Sequence, residues 1–322
     1  MRGDLEQRNV SAGPRIVFCA PGARPDPWLQ GLAGLLPDAR VTAWTKDTTA
    51  EPADYAIVWT PPDDFYPSQP ALKAIFNLGA GVDGLMRSAA LPADVPLVRL
   101  EDAGMAPLMA EYVVQAAVRH ARELDRMDVD RRAGRWVARR PTERADYPVG
   151  VMGAGALGIP VARALAASGF PVALWSRSAK RVDGIASFGG KEQLDAFLAA
   201  TRILVCLLPL TPETENILDR RAFDRLMPDA YLINVARGGH LVDDDLLAAI
   251  ADGRIAGATL DVFREEPLPA AHPFWSESRI AITPHCSALT QRKATLAQIA
   301  GKIGQLERGE AVTGVVDRSR GY

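Results

Sequence analysis

Short apolar runs alternate with Ala- and Leu-rich segments of helical spacing along almost the whole chain. This alternation is typical of βαβ units, in which parallel strands are joined by helices that cover the sheet. The runs form an early group and a later group: Arg15–Ala20, Tyr55–Thr60, Leu72–Leu78 and Pro96–Leu100, then Val149–Met152, Pro171–Trp175, Ile203–Leu208, Tyr231–Val235, Ala256–Leu260 and Ile280–Thr283. The later group has the number of strands expected of a complete dinucleotide-binding domain. The pattern therefore predicts an α/β fold with a mostly parallel, doubly wound sheet.

The segments outside these runs complete the predicted organisation. A long amphipathic helix is expected from about Met105 to Arg126, since Val113 and Val118 lie among apolar residues at helical spacing. After His285 the chain is predicted to form one helix, roughly 291–308, and a short tail. A length of 322 residues is too great for one ordinary hydrophobic core, so two domains are expected.

Charge and cysteine content exclude several classes of function. The formal net charge is −2, which gives no long-range attraction to nucleic acid or acidic lipid. A cluster of arginines is therefore predicted to be a solvated or subunit-contact surface: Arg131, Arg132, Arg135, Arg139 and Arg140. Three cysteines without a CxxC pair argue against a disulfide framework or a zinc site, so we expect no metal and a reducing cytosol.

No membrane association is predicted either. The first 13 residues lack the apolar segment of a secretory signal and are expected to be a frayed tail. The longest apolar run, Ile203–Leu208, stops at Pro209 and is far too short to span a bilayer. We therefore expect a cytoplasmic protein.

A GxGxxG motif lies between a predicted strand and a predicted helix. It comprises Gly153, Ala154, Gly155, Ala156, Leu157 and Gly158. The motif alone is weak evidence, but this context is the one required of a dinucleotide-binding loop. One glycine permits the tight turn, one lets the backbone approach a pyrophosphate, and one lets the helix pack on the strand. The phosphates are then expected at the helix N-terminus, where N–H groups and the helix dipole favour negative charge.

The residues after the second strand of this domain predict which dinucleotide binds. Ser176, Arg177 and Ser178 stand about twenty residues past the loop, where an NAD enzyme usually has Asp or Glu for the ribose 2′-OH. A guanidinium with hydroxyl groups suits a 2′-phosphate, so we predict NADPH in preference to NADH. The alternative is an arginine that is merely exposed after a strand.

Three strand ends carry side chains suited to hydride-transfer chemistry: Arg237, Glu266 and His285. Ligands of open parallel sheets bind beyond the carboxyl ends of the strands, so these groups are expected to converge. Reduction of a 2-keto acid requires a proton donor, and imidazole titrates in a suitable range. A carboxylate keeps the imidazole protonated and oriented, while an arginine orients and polarises the substrate.

Each of these residues also has a structural interpretation. Arg237 could form a surface ion pair, Glu266 could be a loop carboxylate, and His285 could be a histidine held in a turn. The other histidines receive no functional assignment: His120 is placed in the amphipathic helix, and His240 and His272 in polar loops.

Taken together, the motifs are similar to those of the D-isomer-specific 2-hydroxyacid dehydrogenase family along essentially the whole chain. The similarity is carried by segments 77–83, 99–102, 152–155, 175–178, 236–238, 260–263, 266–269, 283–285 and 316–322. The resemblance implies catalytic roles for Arg237, Glu266 and His285, and reduction of glyoxylate and hydroxypyruvate by NADPH. It also implies a homodimer with the long helix near residues 105–126 at its interface.

The resemblance further implies two Rossmann-like domains, with the active site in the cleft between them. Residues 1–100 and 285–322 would form a discontinuous substrate domain, and residues 101–284 the NAD(P)-binding domain. Asp261 would hold the nicotinamide carboxamide. Backbone amides of the Gly-rich turn would bind the substrate carboxylate: Gly79, Ala80, Gly81 and Val82. Further cofactor contacts are implied for Leu208, Pro209, Thr214, Val235 and Ala236.

Some alternatives stay open at this level. Trp44 either limits the size of the substrate pocket or is a core tryptophan. The protein could act on another D-2-hydroxy acid, such as lactate or phosphoglycerate, although we find no basic site for a substrate phosphate, and the Glu266–His285 pair argues against formate. It could also be a dinucleotide-sensing interaction protein without catalytic activity, because fold alone does not determine function.

Overall fold

A computed structural model describes residues 13–46, 51–140 and 142–322. The chain divides into two compact units, the first comprising Met1–Ala103 with Thr290–Tyr322 and the second Gly104–Leu289. Within the described residues, no helix has both the length and the apolar character needed to cross a membrane.

Strands and helices alternate through most of the chain. The strands are β1 (Arg15–Cys19), β2 (Arg40–Ala43), β3 (Tyr55–Val58), β4 (Ala74–Asn77), β5 (Leu97–Val98), β6 (Val149–Met152), β7 (Val172–Ser176), β8 (Ala186–Gly189), β9 (Ile203–Cys206), β10 (Ala230–Asn234), β11 (Ile255–Leu260) and β12 (Ile280–Ile282). The helices are α1 (Asp26–Leu35), α2 (Asp83–Met86), α3 (Met105–Ala121), α4 (Leu124–Arg132), α5 (Gly158–Ala167), α6 (Leu194–Ala199), α7 (Arg220–Arg225), α8 (Asp243–Ala251) and α9 (Arg292–Glu307).

The first unit is built on a five-stranded parallel sheet. Its strand order is β2-β1-β3-β4-β5, an arrangement of the doubly wound type. The C-terminal helix α9 packs against α1 within this unit. Sequence analysis missed β2, because this edge strand has only half-buried and exposed residues and therefore no continuous apolar run.

The second unit is built on a seven-stranded parallel sheet with the order β12-β11-β10-β9-β6-β7-β8. The order reverses at β6, which lies between β7 and β9, and such a switch point is where dinucleotides bind in this architecture. Both faces of the sheet are covered: Val149 and Val151 face one apolar cluster, and Met152 faces the other. The missed strand β8 is again an edge strand without a buried residue.

The predicted long helix is wrong in one respect, because it ends at Ala121 and a separate helix begins at Leu124. Glu123 between them has a left-handed φ of 52°. Ion pairs across the break stabilise the change of direction: Arg119 contacts Asp125 and Asp128. Within the arginine cluster, Arg135 and Arg139 both pair with Asp130. These two arginines of the cluster are therefore engaged in ion pairs within the chain.

Candidate active site

The glycine loop sits between β6 and α5, and its three glycines have different surroundings. Gly153 has a φ of 116°, and a Cβ there would lie 2.7 Å from the carbonyl oxygen of Leu207. A Cβ on Gly158 would lie 1.8 Å from the carbonyl oxygen of Gly153, so α5 could not start so close to the strand. A Cβ on Gly155 would meet no atom within 4 Å. Gly153 and Gly158 are therefore required because any side chain there would collide with the backbone. Gly155 instead leaves open space above the loop.

That open space fits the pyrophosphate of a dinucleotide. The N–H groups of Gly155, Ala156 and Leu157 donate to no acceptor in the described part of the chain. They precede a ten-residue helix whose N-terminus has no side-chain cap. Unpaired N–H groups at such a terminus favour an anion. Ala154, by contrast, is buried against the sheet.

The predicted 2′-phosphate residues follow β7 at the same edge of the sheet. Ser176 donates a hydrogen bond from Oγ to the carbonyl oxygen of Ser178, at 2.8 Å, and thereby shapes the turn around Arg177. Arg177 and Ser178 are exposed. The charges of Lys191 and Arg177 contribute to lowering the pKa of Glu213, behind hydrogen bonding to Thr211 and to its own backbone. Arg177 thus lies near one further cation, Lys191, and one carboxylate, Glu213.

His285 and Glu266 form a close pair in the second unit. His285 Nδ1 lies 2.7 Å from Glu266 Oε2, and Glu266 Oε1 accepts a hydrogen bond from the N–H of Phe263. Both side chains are partly exposed, at 46% and 36%. Because Nδ1 is engaged by the carboxylate, Nε2 is the ring nitrogen left to face a ligand. This arrangement can hold a proton at Nδ1 and deliver another from Nε2.

Asp261 anchors the segment that carries His285. It is fully buried, and its carboxylate accepts hydrogen bonds from Thr283 Oγ1 at 2.5 Å and from the N–H groups of Cys286 and Ser287 at 2.9 Å. Its own carbonyl oxygen accepts the N–H of His285. His285 has a φ of 51°, a conformation that costs energy for a non-glycine residue and persists only when its surroundings enforce it.

Tyr112 of α3 extends this network. Its hydroxyl group lies 2.5 Å from Thr283 Oγ1. Burial raises the pKa of Tyr112 to about 12, so the phenol stays neutral at physiological pH. Sequence reasoning missed both Tyr112 and Thr283 as supports of His285, because helix periodicity predicts which face is buried but not which polar group it meets.

Arg237 lies just after β10 and is half-buried. Its Nη1 donates to the carbonyl oxygen of Ala236 at 2.6 Å, and its own carbonyl oxygen accepts from Asn234 Nδ2 at 3.1 Å. His240, three residues on, lies in the loop between β10 and α8, and its side chain has no exposed surface. A Cβ on Gly238 would lie 1.9 Å from the backbone of Phe263, so the loop after β10 lies directly against the loop after β11.

The remaining predicted cofactor contacts follow β9 and β10. Leu208, Val235 and Ala236 are buried, whereas Pro209 is exposed. Thr214 Oγ1 donates to the carbonyl oxygen of Pro209 at 2.7 Å and fixes the loop after β9. These residues therefore line the same carboxyl edge as the glycine loop.

The predicted carboxylate-binding turn belongs to the first unit and follows β4. Asn77 Nδ2 donates to the carbonyl oxygens of Gly79 and Gly81, at 3.0 and 2.8 Å. The N–H groups of Ala80, Gly81 and Val82 have no acceptor among the residues that the structure describes. With its carbonyl groups held by Asn77, the turn presents its N–H groups to a ligand.

Two tryptophans of the first unit, Trp44 and Trp59, have different surroundings. Trp44 is half-buried, donates from Nε1 to Ser68 Oγ at 3.0 Å and packs edge-on against Phe65, which supports its interpretation as a packed residue. Trp59, which sequence analysis did not consider, is 43% exposed. A Cβ on Gly79 would lie 2.5 Å from the Trp59 ring, so this ring packs against the turn after β4.

The thiols and the possible metal ligands offer no further centre among the described residues. Cys19 and Cys206 are buried and Cys286 is exposed, and all three are free thiols. Within residues 13–46, 51–140 and 142–322, no cluster of His, Cys, Asp and Glu could hold a metal ion.

A dinucleotide-type sheet whose strand ends carry a histidine–glutamate pair and an arginine defines an NAD(P)-dependent oxidoreductase. The family model of the D-isomer specific 2-hydroxyacid dehydrogenase NAD binding domain matches residues 114–287. The chain belongs to the D-isomer specific 2-hydroxyacid dehydrogenase family, whose substrates are small 2-hydroxy and 2-keto acids.

Full-length relatives agree with this assignment. The chain is 45% identical to glyoxylate/hydroxypyruvate reductase A of Yersinia enterocolitica over 312 residues, which are 95% of this chain and 99% of that protein. A D-isomer specific 2-hydroxyacid dehydrogenase from Xanthobacter autotrophicus Py2, solved with NADPH and MES, is 39% identical with a TM-score of 0.92, covering 97% and 100% of the two chains. The NADPH-dependent glyoxylate/hydroxypyruvate reductase of Sinorhizobium meliloti, solved with NADP and sulfate, is 34% identical with a TM-score of 0.90, covering 96% and 100%.

Proposed function

We propose that this protein reduces glyoxylate to glycolate and hydroxypyruvate to D-glycerate with NADPH. The observation that carries the proposal is the 2.7 Å pair of His285 Nδ1 and Glu266 Oε2, located at the edge of a sheet whose glycine loop fits a dinucleotide. The substrate class is supported by the relatives that act on glyoxylate and hydroxypyruvate.

The glycine loop, residues 176–178 and Asp261 would hold NADPH, which when bound would supply the hydride for the carbonyl carbon of the substrate. His285 donates a proton from Nε2 to the carbonyl oxygen, on which negative charge develops. Glu266 accepts the hydrogen bond from Nδ1 and fixes the direction in which Nε2 points. Asp261 holds the backbone of 285–287 and thus the position of the imidazole, in addition to the carboxamide contact that the family resemblance implies.

Arg237 and the turn after β4 are proposed to bind the substrate. The guanidinium group of Arg237 orients the substrate and stabilises charge on its oxygens. The N–H groups of Gly79, Ala80, Gly81 and Val82 bind the carboxylate. Charge-assisted hydrogen bonds of both kinds fix orientation more strongly than neutral ones do.

The preference for NADPH is proposed to depend on the segment after β7. Arg177 and the flanking Ser176 and Ser178 provide charge and hydroxyl groups for a 2′-phosphate. The relatives solved with NADPH and NADP support this proposal. We further infer a cytoplasmic homodimer with α3 at its interface, which light scattering of the purified protein would test; a single 34.6 kDa species would contradict it.

A substrate panel tests the proposed function directly. Initial rates are measured with glyoxylate, hydroxypyruvate, pyruvate, phenylpyruvate and 3-phosphohydroxypyruvate, each with NADPH and with NADH. We expect the first two substrates with NADPH to be turned over fastest. A preference for pyruvate or the phosphorylated acid would identify another dehydrogenase of this family, and absence of turnover with retained NADPH binding would indicate a dinucleotide-sensing protein.

The proton donor is tested by His285→Ala. Loss of general acid catalysis is expected to lower kcat by about 100- to 10,000-fold, while the Kd for NADPH stays within about twofold. A variant that retains near-parental kcat would show that another group protonates the substrate.

A further inference from the structure

His240 occupies an enclosed position between two functional strand ends. It is the last residue of a short 3-10 turn, Gly238–His240, that follows β10. Its Nδ1 lies 3.3 Å from the backbone nitrogen of Arg237 and 3.0 Å from the carbonyl oxygen of Arg237. Its Nε2 lies 3.2 Å from the carbonyl oxygen of Pro209, in the loop after β9. The imidazole therefore joins the backbones of two neighbouring loops.

One tautomer satisfies both ends of this arrangement. With the proton on Nε2, the ring donates to the carbonyl oxygen of Pro209 and accepts the N–H of Arg237 at Nδ1. With the proton on Nδ1 instead, the ring would donate to the carbonyl oxygen of Arg237, 3.0 Å away, but the Nε2 lone pair would face the carbonyl oxygen of Pro209. The carbonyl oxygen of Arg237 already accepts from Asn234 Nδ2 and from the N–H of His240. The first tautomer also satisfies the N–H of Arg237 and the carbonyl oxygen of Pro209, so the first tautomer is favoured.

A second proton would change these contacts. Burial opposes protonation, but Cys206 and the carbonyl groups of Pro209 and Arg237 raise the pKa of His240 above its usual value. With both nitrogens protonated, Nδ1 would donate to the carbonyl oxygen of Arg237 and could not accept its N–H. The neutral ring is therefore best observed at alkaline pH, and the variants are compared there.

The backbone around His240 leaves little freedom for a shift. Asn234 Nδ2 donates to the carbonyl oxygen of Arg237, and the N–H of Leu218 donates to the carbonyl oxygen of His240. Gly238 touches the backbone of Phe263 so closely that it has no room for a side chain. Since the ring has no exposed surface, it cannot reach a substrate and is not itself catalytic.

We propose that His240 is a positioning residue that fixes the main chain of Arg237 against the Pro209 loop. The inference rests on the roles proposed for Arg237 in catalysis and for Pro209 in cofactor binding. Through Nδ1 the imidazole sets the peptide from which the guanidinium group projects, and through Nε2 it holds the loop expected to contact the dinucleotide. Small displacements of an orienting group are enough to slow a reaction strongly.

Two substitutions separate the two ring nitrogens. In His240→Asn the amide oxygen can take the place of Nδ1 as acceptor for the Arg237 N–H, whereas in His240→Gln the amide nitrogen can take the place of Nε2 as donor to Pro209. We expect His240→Gln to lower kcat by about 100-fold with KM for NADPH within about threefold. His240→Asn should raise KM for NADPH by about tenfold, the equivalent of one lost hydrogen bond, and lower kcat much less.

A second histidine and a double variant provide the controls. His272 also accepts a backbone N–H, that of Phe274, and pairs with Asp243, so His272→Gln perturbs a comparable loop contact and should behave like the parent. In an Arg237→Ala background, His240→Gln should cause less than about twofold further loss of kcat, because residues acting as one unit are non-additive. Equal losses of kcat in the Asn and Gln variants, or full additivity with Arg237→Ala, would overturn the proposal.

A spectroscopic measurement tests the contacts of the His240 ring with Arg237 and Pro209 without requiring turnover. The parent is labelled with 15N-histidine, its four histidines are assigned with the variants, and the ring nitrogens are observed at alkaline pH. The proposal requires a protonated Nε2 and an unprotonated Nδ1 for His240; a protonated Nδ1 would contradict it. If the parent fails to reduce any 2-keto acid, the proposed function is wrong. The protonation of the His240 ring nitrogens still tests the backbone contacts of His240 in that case.

Discussion

Each unit of the molecule contains a glycine-rich turn with available N–H groups, but the two turns require glycine for different reasons. In the loop after β6, added Cβ atoms on Gly153 and Gly158 would collide with backbone carbonyl groups. In the turn after β4, an added Cβ on Gly79 would collide with the side chain of Trp59. A backbone cannot yield without moving the sheet or helix, whereas a half-exposed side chain can rotate. The first turn is therefore a fixed part of the fold, and the second can be altered by residues around it.

The largest effect is expected at Gly158. In Gly158→Ala the new methyl group would lie 1.8 Å from the Gly153 carbonyl oxygen, so α5 must move away from β6. We expect a loss of about 3 kcal/mol or more in the free energy of unfolding, together with loss of NADPH binding. Urea unfolding and fluorescence titration measure both quantities. Gly301→Ala, at a helical glycine of α9 without a positive φ and with no atom within 4 Å of the added Cβ, is the control for the substitution without a collision.

A substitution at Gly155 tests whether this glycine is required for cofactor binding and not for folding. The methyl group of Gly155→Ala would project into open space, where the pyrophosphate is expected to approach. The Kd for NADPH should rise by about 100-fold, or about 2.7 kcal/mol, while the free energy of unfolding without cofactor changes by less than about 1 kcal/mol. Unchanged affinity would show that the dinucleotide binds elsewhere.

The histidines provide a second contrast, because all four lie in the second unit. The His120 ring stacks on Tyr231 with centroids 4.2 Å apart. Burial, and to a lesser extent the charges of Arg202 and Arg126, lowers the pKa of His120 from 6.5 to about 4. Between these values the unfolded chain binds more protons than the folded one, so stability falls as pH decreases from about 6.5 towards 4.

His120→Phe keeps an aromatic ring at this position and removes the titration. Relative to this variant, the parent should lose about 2 kcal/mol of unfolding free energy between pH 8 and pH 5. Urea unfolding at both pH values measures the difference. Parallel pH profiles of parent and variant would contradict the assignment of this acid sensitivity to His120.

The smallest effect is expected at Gly79 and is reversible by a second substitution. Gly79→Ala should destabilise the protein by about 1 kcal/mol and raise KM for the keto acid, because the Trp59 ring must move. Combining it with Trp59→Ala removes the collision and should restore part of the lost stability. If the double variant is as destabilised as the sum of the single ones, the glycine is required by the backbone here as well.

Local patterns predicted much of this architecture. The buried strands β1, β3, β4, β6, β9 and β10 appear in the sequence as short apolar runs, because both faces of a parallel sheet are covered. The edge strands β2 and β8 were missed, since solvent on one side removes that signal. The break at Glu123 was also missed, because it depends on a left-handed φ of 52° at a non-glycine residue and is accompanied by contacts of Arg119 beyond the helix end, neither of which a local pattern predicts.

The sequence by itself determined the parallel α/β fold, the glycine loop before α5 and the candidate residues at three strand ends, because each depends on neighbours close in the chain. Only the tertiary structure decided that Asp261 holds the His285 segment and that His240 is buried between Arg237 and Pro209. Those contacts join residues up to 31 positions apart. They depend on how closely separate loops approach one another in space, and no local pattern in the sequence predicts that distance. The close approach of Gly238 to Phe263 is another example.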